Sequence, residues 1–334
     1  MKIFCYGIQD AEKSIFELEN KKFKNELFYT NDLLNSENIK NFPNGMDAVI
    51  LFVNCKADEK ALKTFKEKGV KYIVTRTVGT DHIDLKTAAS LGYKVGRVPS
   101  YSPTAVASLA FAGGIELLRR SGWMFNQTKD FNFKIDGNMF AKELKNSTIG
   151  IIGTGKIGYE TAKYWKGTGA KVLGFDLFPN DKNNEVLEYT DLETLIKKSE
   201  LISLHVPYIK GENENLINEA LISKMKDFAS IVNVSRAPLV DTKAIISAIK
   251  SNKLYGYAGD VFTNEGDLIN KKLTEADVMK INPEIVELLK LYPRVLISPH
   301  VAYFTDEAVK NMAEISFQNL KQLVETGTCD TAVN

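Results

Sequence analysis

Thr148-Ile149-Gly150-Ile151-Ile152-Gly153-Thr154-Gly155-Lys156-Ile157-Gly158 is the stretch whose reading decides the architecture. A short, almost wholly apolar run leads straight into three glycines spaced GxGxxG, and a helical pattern with Ile157, Thr161, Ala162 and Trp165 on one side follows. That context separates it from an ordinary glycine-rich turn. Gly153 suits a tight turn, Gly155 lets a backbone approach a pyrophosphate, and Gly158 allows close packing of helix on strand, with the anion at the helix N-terminus. Thr154, Lys156 and Ile157 fill the loop between them. Asp176 ends the next apolar run, 18 residues beyond Gly158. A carboxylate there accepts hydrogen bonds from both ribose hydroxyls and repels a 2′-phosphate, so the cofactor expected is NAD rather than NADP.

Working outward, apolar runs at 148–152, 171–175, 201–205, 230–234, 255–259 and 295–298 alternate with helical patterns. Continuous rather than alternating apolar strands indicate a parallel sheet covered on both faces, here of six strands in a doubly wound domain. Upstream the same α/β rhythm is present, with strands at 2–6, 48–53 and 71–75 and helices at 12–20 and 60–68. Between the two series, residues 102–120 read as a helix that Pro103 can open and that is apolar on nearly every side, so it is expected to be buried between domains or subunits. Residues 305–325 form a last amphipathic helix, after the sixth strand, that can cross back to the first domain.

The 334 residues favour two domains, and 44% hydrophobic with 25% charged residues gives no compositional case for disorder. Lys plus Arg at 43 against Asp plus Glu at 42 leaves a net charge of +1, which offers no field to a polyanion, so no nucleic-acid partner is expected. No run approaches the length needed to span a bilayer, and no membrane partner or signal peptide is expected. Cys5, Cys55 and Cys329 are odd in number and form no CxxC pair, which argues against a disulfide framework or a metal site and for a cytoplasmic location.

In a sheet of this class reactive groups lie just beyond the carboxyl ends of the strands. Arg236 follows the 230–234 run, Asp260 ends the 255–259 run, His300 follows the 295–298 run, and Glu265 lies five residues after Asp260. Singly each has an ordinary structural reading: a surface charge, a cap, a solvated loop. Together a cation, an imidazole and two carboxylates are what reduction of a 2-oxo acid requires. The guanidinium fixes and polarises the carboxylate and carbonyl, and the imidazolium delivers a proton as hydride arrives. A carboxylate beside an imidazole favours its protonated form and sets its orientation. Of the other two histidines, His205 ends the third run before Val206 and Pro207 and lines the cofactor cleft or packs, and His82 reads as a loop hydrogen-bonder.

These residues in this order resemble the D-isomer-specific 2-hydroxyacid dehydrogenase family over essentially the whole chain. The motifs that carry the resemblance are Arg76-Thr77-Val78-Gly79 with Ile83-Asp84, Val98-Pro99-Ser100-Tyr101-Ser102-Pro103, the glycine loop with Ile151 and Ile152, Ser203-Leu204-His205-Val206-Pro207, Asn233-Val234-Ser235-Arg236 and Ser298-Pro299-His300. The resemblance implies two Rossmann-like domains: a flavodoxin-like catalytic domain from both chain ends, 1–100 plus 301–334, and a central NAD-binding domain, 101–300, with the active site in the cleft. It implies Arg236 as the substrate-binding arginine, His300 as the acid/base, Glu265 as its paired carboxylate and Asp260 as a group that tunes the histidine and borders the cofactor. The backbone N–H groups of Val78 and Gly79 would hold the substrate carboxylate, and Val206, Pro207, Val234 and Ser235 would line the cofactor with His205.

Within the family the chain is most similar to the fermentative D-lactate dehydrogenases, through Leu51-Phe52-Val53-Asn54, Tyr101, Pro299-His300-Val301-Ala302-Tyr303-Phe304-Thr305 and Gly327-Thr328-Cys329. Phe52, with Tyr101 and Tyr303, would narrow the pocket to a methyl-sized side chain, so the expected substrate is pyruvate; the lesser reading of Phe52, which ends an apolar run, is as core. The segment 70–84 also resembles the vancomycin-resistance-type dehydrogenases, which likewise make D-lactate. The rival expectations are a dehydrogenase for bulkier 2-oxo acids such as phenylpyruvate or 2-oxoisocaproate, and a non-catalytic NADH-sensing protein. A homodimer is expected from the apolar 102–120 helix.

Overall fold

The computed structural model describes residues 1–334 and divides them into two compact units, 1–102 with 303–334, and 103–302. In the first unit five parallel strands, β1 Lys2–Cys5, β2 Glu26–Tyr29, β3 Ala48–Leu51, β4 Tyr72–Thr75 and β5 Val95–Arg97, lie in the order β2-β1-β3-β4-β5. Ile3, Cys5, Val49, Ile50, Ile73 and Val74 are fully buried, as the continuous apolar runs require of a sheet covered on both faces. The helix Asp10–Asn20 begins at a reciprocal cap between Gln9 and Glu12, and Glu59–Glu67 begins where Asp58 accepts the Ala61 N–H. The chain's last helix, Asp306–Thr326, packs on Asp10–Asn20 and over β4 and β5, with Phe317 edge-on to Phe16 at 5.9 Å. The sequence pattern shows β1, β3 and β4. It does not show β2, an edge strand with no fully buried residue, or β5, which is three residues long.

The second unit holds β6 Thr148–Ile152, β7 Lys171–Phe175, β8 Glu188–Tyr189, β9 Leu201–Leu204, β10 Ala229–Asn233, β11 Leu254–Gly259 and β12 Val295–Ile297, all parallel, in the order β12-β11-β10-β9-β6-β7-β8. The sheet therefore has seven strands rather than the six expected. The addition, β8, is a two-residue edge strand on β7, too short to carry a period. The order reverses between β9 and β6, which puts the loop after β6 at the switch point of the sheet.

The helix Pro103–Arg119 finds cover within its own unit, against the helix Lys156–Gly167 and strands β10 and β11. Gly114 permits that approach: a Cβ there would stand 2.6 Å from the Trp165 ring. The uncovered apolar surface lies further on, where Phe125, Phe131, Phe133, Ile135 and Phe140 are exposed, Phe131 to 87%. No helix is long and apolar enough to cross a membrane.

Candidate functional site

The loop after β6 has the stereochemistry its glycines imply. Gly153 sits at φ +88°, where a side chain is strained, and an added Cβ would come 2.6 Å from the His205 carbonyl. At Gly158 a Cβ would overlap the Gly153 carbonyl oxygen, whereas at Gly155 it would point into open space. Gly155 is also the N-cap of Lys156–Gly167 and supplies no side-chain acceptor, so the first-turn N–H groups are left for a ligand. An open cradle at an uncapped helix N-terminus fits a pyrophosphate. Asp176, just after β7, accepts the Thr154 N–H at 2.7 Å and the Thr154 hydroxyl at 3.1 Å through Oδ2, and the Phe178 N–H at 2.9 Å through Oδ1. Oδ1, with a single donor, keeps acceptor capacity, and the orientation of the carboxylate is set before any ribose arrives.

Thr154 is itself held by the Tyr189 hydroxyl at 2.8 Å and by Asn183, whose amide donates to the Thr154 carbonyl at 2.8 Å. Sequence reasoning missed Tyr189 and Asn183 because no spacing rule connects them to the glycine loop. His205 joins Ser203 through Nε2 at 2.9 Å, while its Nδ1 is buried without a partner. Burial pulls its pKa down to about 3, so the ring is neutral at ordinary pH and packs against the loop rather than titrating.

Beyond β10, Asn233 clamps the turn that carries Arg236: its oxygen accepts the Ser235 N–H at 3.0 Å and its amide donates to the Arg236 carbonyl at 3.0 Å. Ser235 adds a hydroxyl bond to the Leu204 carbonyl at 2.8 Å, and Arg236 folds one nitrogen onto the Ser235 carbonyl at 2.8 Å. Asn233 is fully buried and two to three residues from its partners, a pattern that could have marked it as a positioning residue.

Beyond β11 and β12 the structure brings Asp260, Glu265 and His300 together. His300 Nδ1 lies 2.7 Å from Glu265 Oε1, with the two side chains 15% and 13% exposed. His300 holds φ +55°, a left-handed conformation uncommon for a residue with a side chain. The 2%-exposed carboxylate of Asp260 maintains it: Oδ1 accepts the Ser298 hydroxyl at 2.6 Å and the Val301 N–H at 2.9 Å, and Oδ2 accepts the Ala302 N–H at 2.8 Å. Burial raises the Asp260 pKa, against the lowering effect of these donors and of His300. Asp260 thus brackets the imidazole-bearing turn on both sides.

A family model described as the NAD-binding domain of the D-isomer-specific 2-hydroxyacid dehydrogenases matches residues 111–302. The chain is 37% identical to a D-lactate dehydrogenase of Escherichia coli K12 over 330 residues, covering 98% of both chains. It is 35% identical to an aromatic 2-oxoacid reductase of Clostridium sporogenes over 334 residues, again covering 98% of both. The apo-structure of the D-lactate dehydrogenase from Escherichia coli superposes with a TM-score of 0.87 at 35% identity, with all of each chain covered. The chain belongs to the D-isomer-specific 2-hydroxyacid dehydrogenase family. It is therefore an NAD-dependent oxidoreductase, in keeping with the open cradle at Gly155 and the acidic residue at the end of β7.

Val206, Pro207 and Val234 lie with the glycine loop in the second unit, and the residues expected to bind the substrate, apart from Arg236, lie in the first. In the loop after β4 the carbonyls are taken up by donors of the same unit. Thr77 O accepts from the Val98 N–H at 3.1 Å, Val78 O from Arg97 at 3.0 Å, and Gly79 O from the Thr77 hydroxyl at 2.6 Å. The N–H groups of Val78 and Gly79 meet no acceptor in the chain and are left for a ligand. The Thr77 hydroxyl extends through Thr75 at 2.7 Å to His82 Nε2 at 3.0 Å, so His82 is indeed a loop hydrogen-bonder. Phe52, 7% exposed, stands edge-on to the Tyr303 ring with centroids 4.9 Å apart. Tyr101 is anchored by its carbonyl, which accepts from the Asn311 amide at 2.7 Å.

Proposed function

We propose that this dehydrogenase is a D-lactate dehydrogenase, reducing pyruvate reversibly to D-lactate. The Phe52–Tyr303 ring pair carries the choice of substrate: two rings packed edge to face form a rigid apolar wall suited to a methyl group. When bound, the reduced nicotinamide supplies the hydride. The glycine loop and Asp176 would hold the cofactor, with Val206, Pro207, Val234 and Ser235 along its path. Arg236 would take the substrate carboxylate and polarise the C2 carbonyl, and the unpaired N–H groups of Val78 and Gly79 would share the carboxylate. With His300 Nδ1 tied to Glu265, Nε2 is the nitrogen that holds the proton. As the carbonyl at C2 becomes an alkoxide, Nε2–H gives that proton to the oxygen, and the reverse reaction returns it. Glu265 steadies the imidazolium and fixes its orientation.

The 35% identity to an aromatic 2-oxoacid reductase favours, as a second reading, a dehydrogenase for bulky 2-oxo acids. Oxidation of NADH with pyruvate, phenylpyruvate and 2-oxoisocaproate in parallel, with the chirality of the best product, separates the two. Pyruvate preferred and D-lactate formed supports the main reading; preference for the bulky acids replaces the substrate and keeps the mechanism. Oxidation of none of them despite NADH binding refutes both. The exposed run of Phe131, Phe133, Ile135 and Phe140 supports a homodimer in which a second copy covers it. A monomer by sedimentation at micromolar concentration would overturn that. The three cysteines, all free and buried, suit a reducing cytoplasm.

A further inference from the structure

Arg76 is fully buried, and so, at 1% exposure, is its partner Glu12. A buried ion pair carries a heavy desolvation cost and is weak evidence for stability by itself, so its geometry asks for another reason. Arg76 Nη1 donates to Glu12 Oε1 at 2.6 Å, and Nη2 donates to the Gly7 carbonyl at 2.7 Å and to Glu12 Oε2 at 3.3 Å. Glu12 is fixed in turn, since Oε2 also accepts the Gln9 N–H at 2.8 Å in the cap of the first helix. These bonds hold the guanidinium by its two terminal nitrogens, with Cζ 3.8 Å from the centroid of the Phe52 ring. Its Nε has no partner, so the terminal nitrogens alone hold the group in place.

Phe52 is closed in from its other sides as well. Gly7, at φ +68°, brings its backbone so near that an added Cβ would lie 3.1 Å from Phe52 Cδ1. Tyr303 meets the ring edge-on, and its own ring centroid is 5.9 Å from Arg76 Cζ. Arg76 therefore touches Phe52, approaches Tyr303, and anchors the Gly7 turn that limits Phe52. An aromatic ring that merely ended a strand would need no such arrangement.

We propose that Arg76, aimed by Glu12 and the Gly7 carbonyl, is a positioning residue for substrate specificity: its guanidinium plane fixes the Phe52 ring as the wall that limits the side chain of the 2-oxo acid. The inference rests on the reading of Phe52 as a pocket wall. Lysine at 76 keeps the charge and loses the flat, forked surface that stacks on the ring. Loss of a desolvated cation–π contact corresponds to about tenfold in an equilibrium between ring positions.

The test uses the full chain with NADH. Arg76→Lys should lower the ratio of kcat/KM for pyruvate over 2-oxoisocaproate by about tenfold, mainly through the KM values. NADH affinity by fluorescence titration should not move. In a Phe52→Ala background the same substitution should leave the ratio unchanged, because there is no ring left to fix. Glu12→Gln, which keeps the shape and loosens the aim, should shift the ratio in the same direction and less. Should Arg76→Lys not fold, Glu12→Gln alone and the paired replacement Arg76→Met with Glu12→Leu carry the comparison, since removing a buried pair together is far milder than removing one member. An equal fall in kcat/KM for every oxo acid, or a shift in the ratio that persists without Phe52, overturns the inference and leaves Arg76 a structural residue. Phe52→Ala failing to alter the ratio overturns the pocket reading first, and the inference with it.

Discussion

Replacing Glu265 with Gln tests the proton-transfer assignment most sharply. The Glu265–His300 contact is 2.7 Å long and only 15% and 13% exposed at its two ends, so solvent screens it weakly. Two unit charges with centres about 4 Å apart attract by about 4 kcal/mol at an effective dielectric near 20, an upper bound on what the carboxylate gives the imidazolium. Glutamine fits the same space and still accepts the Nδ1–H, so it forfeits the charge and keeps a neutral hydrogen bond. A loss of about 2–3 kcal/mol is then reasonable for the step in which the imidazole is charged, or about 30- to 150-fold in kcat/KM for pyruvate. Alanine, which also removes the hydrogen bond, should lose more. The assay is steady-state NADH oxidation by the full chain, with NADH binding followed separately by fluorescence and expected unchanged. A Gln variant within threefold of the parent, with the fold intact by circular dichroism, would refute the pairing of Glu265 with a charged His300 in turnover.

Asp176→Ala should raise the KM for NADH by about tenfold, the worth of one lost charged hydrogen-bond pair, and make NADPH a better cofactor than before; no gain with NADPH would sever Asp176 from cofactor choice. Asp260→Ala orphans the Ser298 hydroxyl and the N–H groups of Val301 and Ala302 together. A loss of about 2–5 kcal/mol in urea unfolding and the collapse of turnover are expected, and a variant of parental stability would show that the His300 turn holds itself. His205, with its folded pKa depressed from 6.5 to about 3, stabilises the fold above the unfolded value. That contribution is lost as pH falls from 6.5 toward 3, at up to about 1.4 kcal/mol per pH unit. His205→Gln should flatten this acid slope in urea titrations, and an unaltered slope would place the acid sensitivity elsewhere.

Much of the molecule is written locally. The glycine loop from Gly153 to Gly158, Asp176 at the end of β7, and the strands β6, β7, β9, β10, β11 and β12 are legible because each depends on neighbours a few residues away: a strand's burial, a turn's φ, a helix N-terminus. For the same reason Arg236, Asp260 and His300 could be picked out, since a parallel sheet places the residue after each strand at one edge. The short strands β5 and β8 could not be, because pairing with a neighbour, not residue pattern, makes them strands. Likewise the sequence shows Pro103–Arg119 to be apolar but does not say what covers it.

What only tertiary structure decided are contacts between residues distant in sequence and unlinked by any period. Glu265, which no spacing rule ties to His300 and which only the family resemblance had paired with it, closes on the imidazole across 35 residues. Asp260 turns out to clamp the turn at His300 through three donors, and Arg76 meets Glu12 across 64 residues to lie under Phe52. A sequence specifies which side chains are apolar, charged or conformationally free, and so determines elements and the ends of strands. Which carboxylate faces which cation depends on how the loops between those elements close, and that is settled only when burial leaves a charge no solvent and one partner within reach.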